Sequence, residues 1–135
     1  MALLQLDRRL FFEPWSERAF RDALGNGRYY AQGAWGAQQL VGYLIGAVVA
    51  DEAELLQIGV APEQRRRGIA AALLGDYLAW LRAREVVALH LEVRESATAA
   101  QAFYRRAGFD AVGRRRGYYP SEAGREDGLL FTWRR

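Results

Sequence analysis

"IGVAPEQRRRGIAAALL", residues 58–74, is the stretch that decides how this chain folds. An apolar run ending at Val60 meets Pro62, then Arg65, Arg66 and Arg67 in succession, then Gly68 and a row of small, helix-favouring residues. The pattern predicts a strand, a turn and a helix. A helix N-terminus already carries unpaired N–H groups and a partial positive charge, so arginines beside it oppose the helix. Their placement makes sense where an anion rests on that end, with Gly68 letting the backbone come close to it. No Gly-Lys-Ser/Thr follows, so the loop is not a Walker sequence, and the three-glycine spacing of a dinucleotide fingerprint is missing. The residues alone point to a phosphate-bearing ligand or to a solvated arginine turn.

Downstream, Ile69, Leu73, Tyr77, Trp80 and Leu81 recur at three- and four-residue spacing, predicting an amphipathic helix from Arg67 to about Arg84. "VVALHLEVR" reads as a buried strand, "ATAAQAFYRRAG" as a helix stopped by Gly108, and "FDAVGRRRGYY" and "DGLLFTW" as two last strands. Upstream, Ser16 caps a short helix that ends at Gly25-Asn26-Gly27. "RYYAQGAWG" and "QQLVGYLIGAVVAD" read as strands joined around Gly36, and "AELLQIGVA" as a third. The expected order is β-α-β-β-β-α-β-α-β-β, or the same without the first strand. It predicts an α/β (α+β) single domain over residues 1–135, a mixed, mostly antiparallel sheet flanked by helices.

A chain of 135 residues with 51% hydrophobic and 26% charged residues fits one globular domain. It has no cysteine and one histidine, His90, which excludes disulfides, thiol nucleophiles and multi-histidine metal sites, so no metal is expected. The N-terminal apolar stretch is too soon charged for a signal peptide, and "LVGYLIGAVVA" is too short for a membrane span. A cytoplasmic protein with no membrane role is expected. The net charge is +3, carried by arginine with no lysine at all. The arginines cluster at 65–67, 105–106, 114–116 and 134–135, which suits phosphate recognition by a nucleotide cofactor or by RNA. Nothing in the sequence fixes an oligomeric state.

Arg65-x-x-Gly68-x-Ala70 is similar to the acetyl-CoA signature of the GCN5-related N-acetyltransferases. The likeness extends in order through "LHLEVRESATAAQAFYRRAGF" and "GRRRGYYPSEAGREDGLLF", which resemble the family's RimI type, an acetyltransferase of a ribosomal protein's N-terminal alanine. "FEPWSERAF" resembles that type's first helix. The resemblance implies the GNAT fold and acetyl-CoA as co-substrate. It implies transfer of acetyl to the α-amine of a protein, most closely a small-subunit ribosomal protein, by direct attack in a ternary complex. Ile58, Gly59 and Val60 match the strand along the acetyl-pantetheine arm, where the Val60 N–H would polarise the thioester carbonyl. Arg65, Arg66, Arg67, Gly68, Ile69, Ala70 and Ala71 match the pyrophosphate loop. Glu92 matches the general base and Tyr104 the general acid. Where the RimI type carries a cofactor-contacting asparagine, this chain has Ala97, so that contact is either lost or replaced by Ser96 or Thr98.

The chemistry of these residue types agrees. An α-amine with pKa near 8 is already ~10–15% neutral at pH 7, whereas a lysine side chain is neutral only to ~0.04%. A carboxylate, directly or through a water, is therefore an adequate base for an N-terminus. Glu92 ends an apolar strand, a place for a charge that faces a cleft or one paired with Arg94 or another arginine. Tyr104 is either a proton donor to the departing thiolate or a buried ring on an amphipathic helix. His90 reads as a partner for a neighbouring polar group. Tyr118, Tyr119, Pro120 and Trp15 line an acceptor groove or pack in the core, and Arg125-Glu126-Asp127 reads a peptide or forms a charged turn. Two other readings stay open. One is an acetyltransferase for another amine, a lysine side chain or a small molecule. The other is a basic RNA-binding module without enzymatic activity, against which stands the lack of a base-stacking aromatic pattern.

Overall fold

A computed structural model describes residues 2–11 and 14–135 of the protein. Phe12 and Glu13, part of the "FEPWSERAF" stretch, lie outside the described residues. Helices α1 (Ala2–Leu10) and α2 (Glu17–Leu24) precede strands β1 (Tyr29–Gly36), β2 (Gln39–Val49) and β3 (Glu52–Val60). A 3-10 turn over Pro62–Gln64 leads to α3 (Ile69–Ala83), β4 (Ala88–Arg94), α4 (Thr98–Arg106), β5 (Asp110–Ser121) and β6 (Gly124–Arg134). The sheet order is β1-β2-β3-β4-β6-β5, antiparallel except for the β3–β4 pair.

The first element corrects the expected order, for it is a helix and not a strand. A short leucine-rich run carries both periods. The helical one prevails because it buries Leu4 and Leu6 while turning Asp7 inward. Asp7 is fully buried, receiving the Tyr43 hydroxyl hydrogen bond from β2 and the Trp15 N–H at 2.6 Å. That pair fastens α1 and the chain before α2 to one face of the sheet. The Ser16 cap is as expected, its Oγ accepting from the Ala19 N–H at 3.0 Å.

Helix α3 covers the opposite face with Leu73, Leu74, Tyr77, Leu78 and Leu81. It sits close because β2 offers glycines where it crosses. A Cβ on Gly46 would lie 2.1 Å from the Tyr77 hydroxyl, and one on Gly42 would lie 3.0 Å from Ile69. The Tyr77 hydroxyl passes over that gap to donate to the Glu54 carbonyl at 3.1 Å. This close seat places the N-terminus of α3 over the end of β3. The hairpin of β5 and β6 is longer than predicted and absorbs Arg125-Glu126-Asp127 into β6, leaving Glu122 and Ala123 as its turn.

Candidate active site

The β3–β4 ladder is short. It joins Glu52, Ala53 and Glu54 to Ala88, Leu89 and His90 and then stops. Beyond that point β3 stays paired with β2 as far as Val60, and β4 stays paired with β6 as far as Arg94. A register shift at Ile45/Gly46 inserts an extra residue into β3, and such a bulge bends a strand. The two strands therefore diverge and leave a wedge in the middle of the sheet. A cavity of about 1250 Å³ occupies it, bounded by β3, β4, the start of α3 and the inner side of α4.

The chain between β3 and α3 forms the first wall. Arg66 has φ 67° and Gly68 has φ 78°, the left-handed conformations from which anion-holding concavities are made. Helix α3 begins at Ile69, two residues later than the sequence predicts, because the left-handed Gly68 cannot continue it backward. Gly68 caps without a side chain, no acidic residue stands in the first turn, and the first helical bond runs from the Ala72 N–H to the Gly68 carbonyl. The N–H groups of Ile69, Ala70 and Ala71 thus have no partner among the described residues. A Cβ at Gly68 would meet nothing within 4 Å, so space lies open above the loop. Arg65 turns back to donate from Nε to the Val60 carbonyl at 3.3 Å. Arg65 and Arg66 line the cavity, and Arg67 does not.

Strand β3 supplies the second component. The Ala61 N–H donates to the Val41 carbonyl at 2.8 Å, which makes the adjacent Val60–Gly42 pair one without mutual bonds. The Val60 N–H consequently points away from β2 and into the wedge. Ile58 and Gly59 line the same opening.

Glu92 and Tyr104 reach the cavity from opposite faces of the sheet. On β4, Leu89, Leu91 and Val93 pack beneath α3 and α4, so His90, Glu92 and Arg94 face the other side. The Glu92 carboxylate is held by β5. Arg115 donates from Nε at 2.6 Å and from a terminal nitrogen at 3.0 Å, and the Tyr119 hydroxyl donates at 2.6 Å. The Arg115 bonds hold its carboxyl below the usual range against a smaller opposing effect of burial, with Tyr119 adding to the lowering. Burial, and then the bond to Glu92, push the Tyr119 phenol well above its usual value. Tyr104 is 6% exposed and packs on Phe103, Phe109 and Phe131. Among the described residues its hydroxyl has no hydrogen-bond partner, yet no buried side-chain polar atom there lacks one, so the hydroxyl opens onto the cavity. Burial raises it to about 12, keeping it protonated at neutral pH.

Residues 1–109 match the acetyltransferase (GNAT) family. The chain belongs to that family. This GNAT chain is 39% identical over 131 residues to the [ribosomal protein bS18]-alanine N-acetyltransferase of Salmonella typhimurium, covering 97% of this chain and 88% of the relative. The crystal structure of the Escherichia coli ribosomal-protein-S18-alanine N-acetyltransferase superposes with a TM-score of 0.92 at 36% identity, covering 98% of this chain and 85% of the other. Arabidopsis thaliana NAA60 in complex with acetyl-CoA shares the fold, with a TM-score of 0.83 at 21% identity and coverage of 98% and 90%. Among the described residues of the GNAT domain no cluster of side chains could hold a metal ion, and no helix is long and apolar enough to cross a membrane.

His90 is a partner for polar neighbours, Thr132 Oγ1 at 2.8 Å on Nδ1 and Glu52 at 2.8 Å on Nε2. Arg125-Glu126-Asp127 braces the hairpin, since Asp127 binds Arg114 and the Gly117 N–H while Glu126 accepts from the Ser96 N–H. Tyr119 lines the cavity, Tyr118 is exposed, and Trp15 packs on Phe20. Ala97 lines the cavity, whereas Ser96 and Thr98 do not. The α4 wall is apolar around Ala97, with Ala99, Ala100 and Phe103, and Arg106 lines its far end. Glu92 does pair with an arginine, but with Arg115 rather than the neighbouring Arg94, because the partners lie 23 residues apart and only the hairpin register joins them.

Proposed function

We propose that the protein transfers the acetyl group of acetyl-CoA to the N-terminal α-amine of a protein, with the N-terminal alanine of ribosomal protein bS18 as acceptor. The observation that carries the reaction is the wedge, where an inward N–H, a carboxylate and an open phenol come from three separate elements. The acceptor rests on the likeness to the Salmonella and Escherichia coli enzymes, which runs through both walls.

The loop fits a diphosphate. Three free N–H groups, a left-handed glycine with open space above it and Arg66 form a cradle of the kind that helix N-termini give to anions. Acetyl-CoA supplies the activated acetyl group there. The Val60 N–H, directed into the wedge, would donate to the thioester oxygen, and a donor so placed is worth about 3–4 kcal/mol as charge develops. Glu92, ionised at neutral pH, receives the amine proton directly or through a water. Tyr104 delivers a proton to the departing sulfur. A thiolate near pKa ~8.5 in water is a weaker base than a phenolate. The desolvation that raises Tyr104 raises the thiolate too, and this narrows the gap.

Thiol release with an alanine-initiated peptide of the bS18 N-terminus, compared with an N-terminally blocked lysine peptide and a polyamine, tests this reading. A preference of at least ~100-fold for the free N-terminus is expected. Equal rates on all three acceptors would overturn it in favour of a general amine acetyltransferase.

A further inference from the structure

Glu92 is the group on which the proposed base catalysis rests, yet both of its oxygens already accept hydrogen bonds. Arg115 binds both of them and Tyr119 binds one. The site has been shaped for that pairing. A Cβ on Gly128 of β6 would stand 3.0 Å from the Glu92 carboxyl carbon and 2.9 Å from the Tyr119 ring, so only glycine leaves the carboxylate room. The other groups on this face are committed elsewhere. Arg94 bonds the Pro120 carbonyl and Glu126, and His90 bonds Glu52 and Thr132. Glu54 also points to this face from β3, two residues along from Glu52. Arg115 itself is anchored differently from Glu92. Its side chain is 50% exposed against 15% for the carboxylate, and its guanidinium lies 3.6 Å over the exposed Tyr118 ring. The β5 ladder is interrupted between Arg115 and Tyr119, where Gly117 has φ 57°.

We infer that Arg115 is a displaceable stand-in for the acceptor's ammonium group. Resting on the reading of Glu92 as base, this assigns Arg115 a positioning role that ends when the acceptor arrives. A guanidinium and an ammonium cannot both sit against one carboxylate without repelling each other. Before binding, Arg115 neutralises a half-buried charge that would otherwise stand alone. As the α-ammonium enters, Arg115 swings away from Glu92 into water, and Tyr119 keeps its bond. Loss of the guanidinium raises the proton affinity of Glu92 at the moment the amine must be deprotonated. One ammonium proton passes to Glu92, the N–C bond forms and the C–S bond breaks. As the amide forms, Tyr104 gives its proton to the sulfur and the second amine proton restores the Tyr104 hydroxyl, and Glu92 later releases its own to water.

The test uses Arg115→Ala, with Arg115→Lys as a second variant should the first unfold. With the competitor removed, calorimetry should show an alanine-initiated peptide binding about tenfold more tightly, the order expected for releasing a charge-assisted pair. Arg115→Lys should fall between. The acid limb of kcat/KM should move to higher pH, since Glu92 in the free variant is the stronger base. Guanidinium chloride at low, non-denaturing concentration should then inhibit Arg115→Ala competitively against the peptide and leave the wild type untouched. Restoration of activity by guanidinium, or weaker peptide binding in both variants, would overturn the inference, because Arg115 would then be needed beside Glu92 during turnover. Failure of the base reading is separable from this, for it would appear as full activity in Glu92→Gln whatever Arg115 does.

Discussion

The two walls of the wedge are built in different ways. The arginine-bearing loop and the start of α3 form a local structure. Residues 65–71 carry the left-handed Gly68, the bare N–H groups and the arginines within one stretch of chain. The Glu92 side is assembled from a distance. Its carboxylate on β4 is held by Arg115 and Tyr119 on β5, and β5 is aligned only through β6. A local site tolerates change elsewhere in the fold and fails through its own residues. A register-built site fails when any of three strands moves. The first wall suits a cofactor common to a whole family, and the second suits an acceptor that differs among its members.

The largest expected difference between the walls is at Glu92. Glu92→Gln should lower kcat about 10²–10⁴-fold, with the loss greatest at low pH and shrinking as the amine deprotonates unaided, while acetyl-CoA affinity is unchanged. The same change has a stability signature. Hydrogen bonds from Arg115 hold the carboxyl below its ordinary value, so the stabilisation is complete above about pH 4.5 and is lost as pH falls through the lower folded value. Acid unfolding of the wild type should show that loss below about pH 4.5, and Glu92→Gln should lack it. A rate loss that is independent of pH would make Glu92 a structural residue.

At the other wall, Arg66→Glu should weaken acetyl-CoA binding about tenfold at low salt, and less as the screening length contracts from ~10 Å at 0.1 M to ~3 Å at 1 M. Arg67→Glu should do distinctly less, because Arg67 lies outside the cavity lining. Equal, salt-dependent losses for the two would mean that the loop rearranges around its ligand. Kd from calorimetry at two ionic strengths decides.

Gly128→Ala probes the register-built wall more gently. Its Cβ would press on Tyr119 and Glu92 at 2.9 and 3.0 Å, shifting the carboxylate by a few tenths of an ångström. Turnover should drop severalfold with cofactor affinity unchanged, since small misplacements of a reacting group are costly. The smallest catalytic effect should come from His90→Ala. It leaves Thr132 on β6 without its partner and should cost about 1–3 kcal/mol of stability, read by denaturant unfolding. Its kcat should stay within about twofold, as expected of a residue that supplies no proton; a larger fall would bring His90 into the mechanism.

Legibility follows the same division. Strand, Pro62, arginines, Gly68 and helix could be read in order because each residue's preference acts on its neighbours. Only the helix start was misplaced, by the two residues that the left-handed glycine removes. The Ser16 cap and the Gly108 stop were legible for the same reason. Helix α1 was not, because its leucines suit either period and the deciding contact, Asp7 with Tyr43, spans 36 residues. Glu92 stood out as a charge ending an apolar strand. Its partner among the nineteen arginines could not be chosen without the β5–β6 register. Likewise the three charges Arg125, Glu126 and Asp127 resemble a turn in sequence and become a brace only once Gly117 and Ser96 are brought beside them.

In the proposed reaction the amine is handled on the Glu92 face and the leaving group on the Tyr104 face. Replacing the sulfur of acetyl-CoA by selenium tests it most directly, because a selenol is far more acidic than a thiol and departs without a donated proton. Single-turnover rates of Tyr104→Phe and Glu92→Gln would be compared with both donors. Tyr104→Phe keeps the ring and loses only the hydroxyl, so its rate should be about 10²–10⁴-fold down with the thioester and largely restored with the selenoester. Glu92→Gln should remain impaired with either donor. Equal recovery of both variants, or none in Tyr104→Phe, would contradict the division.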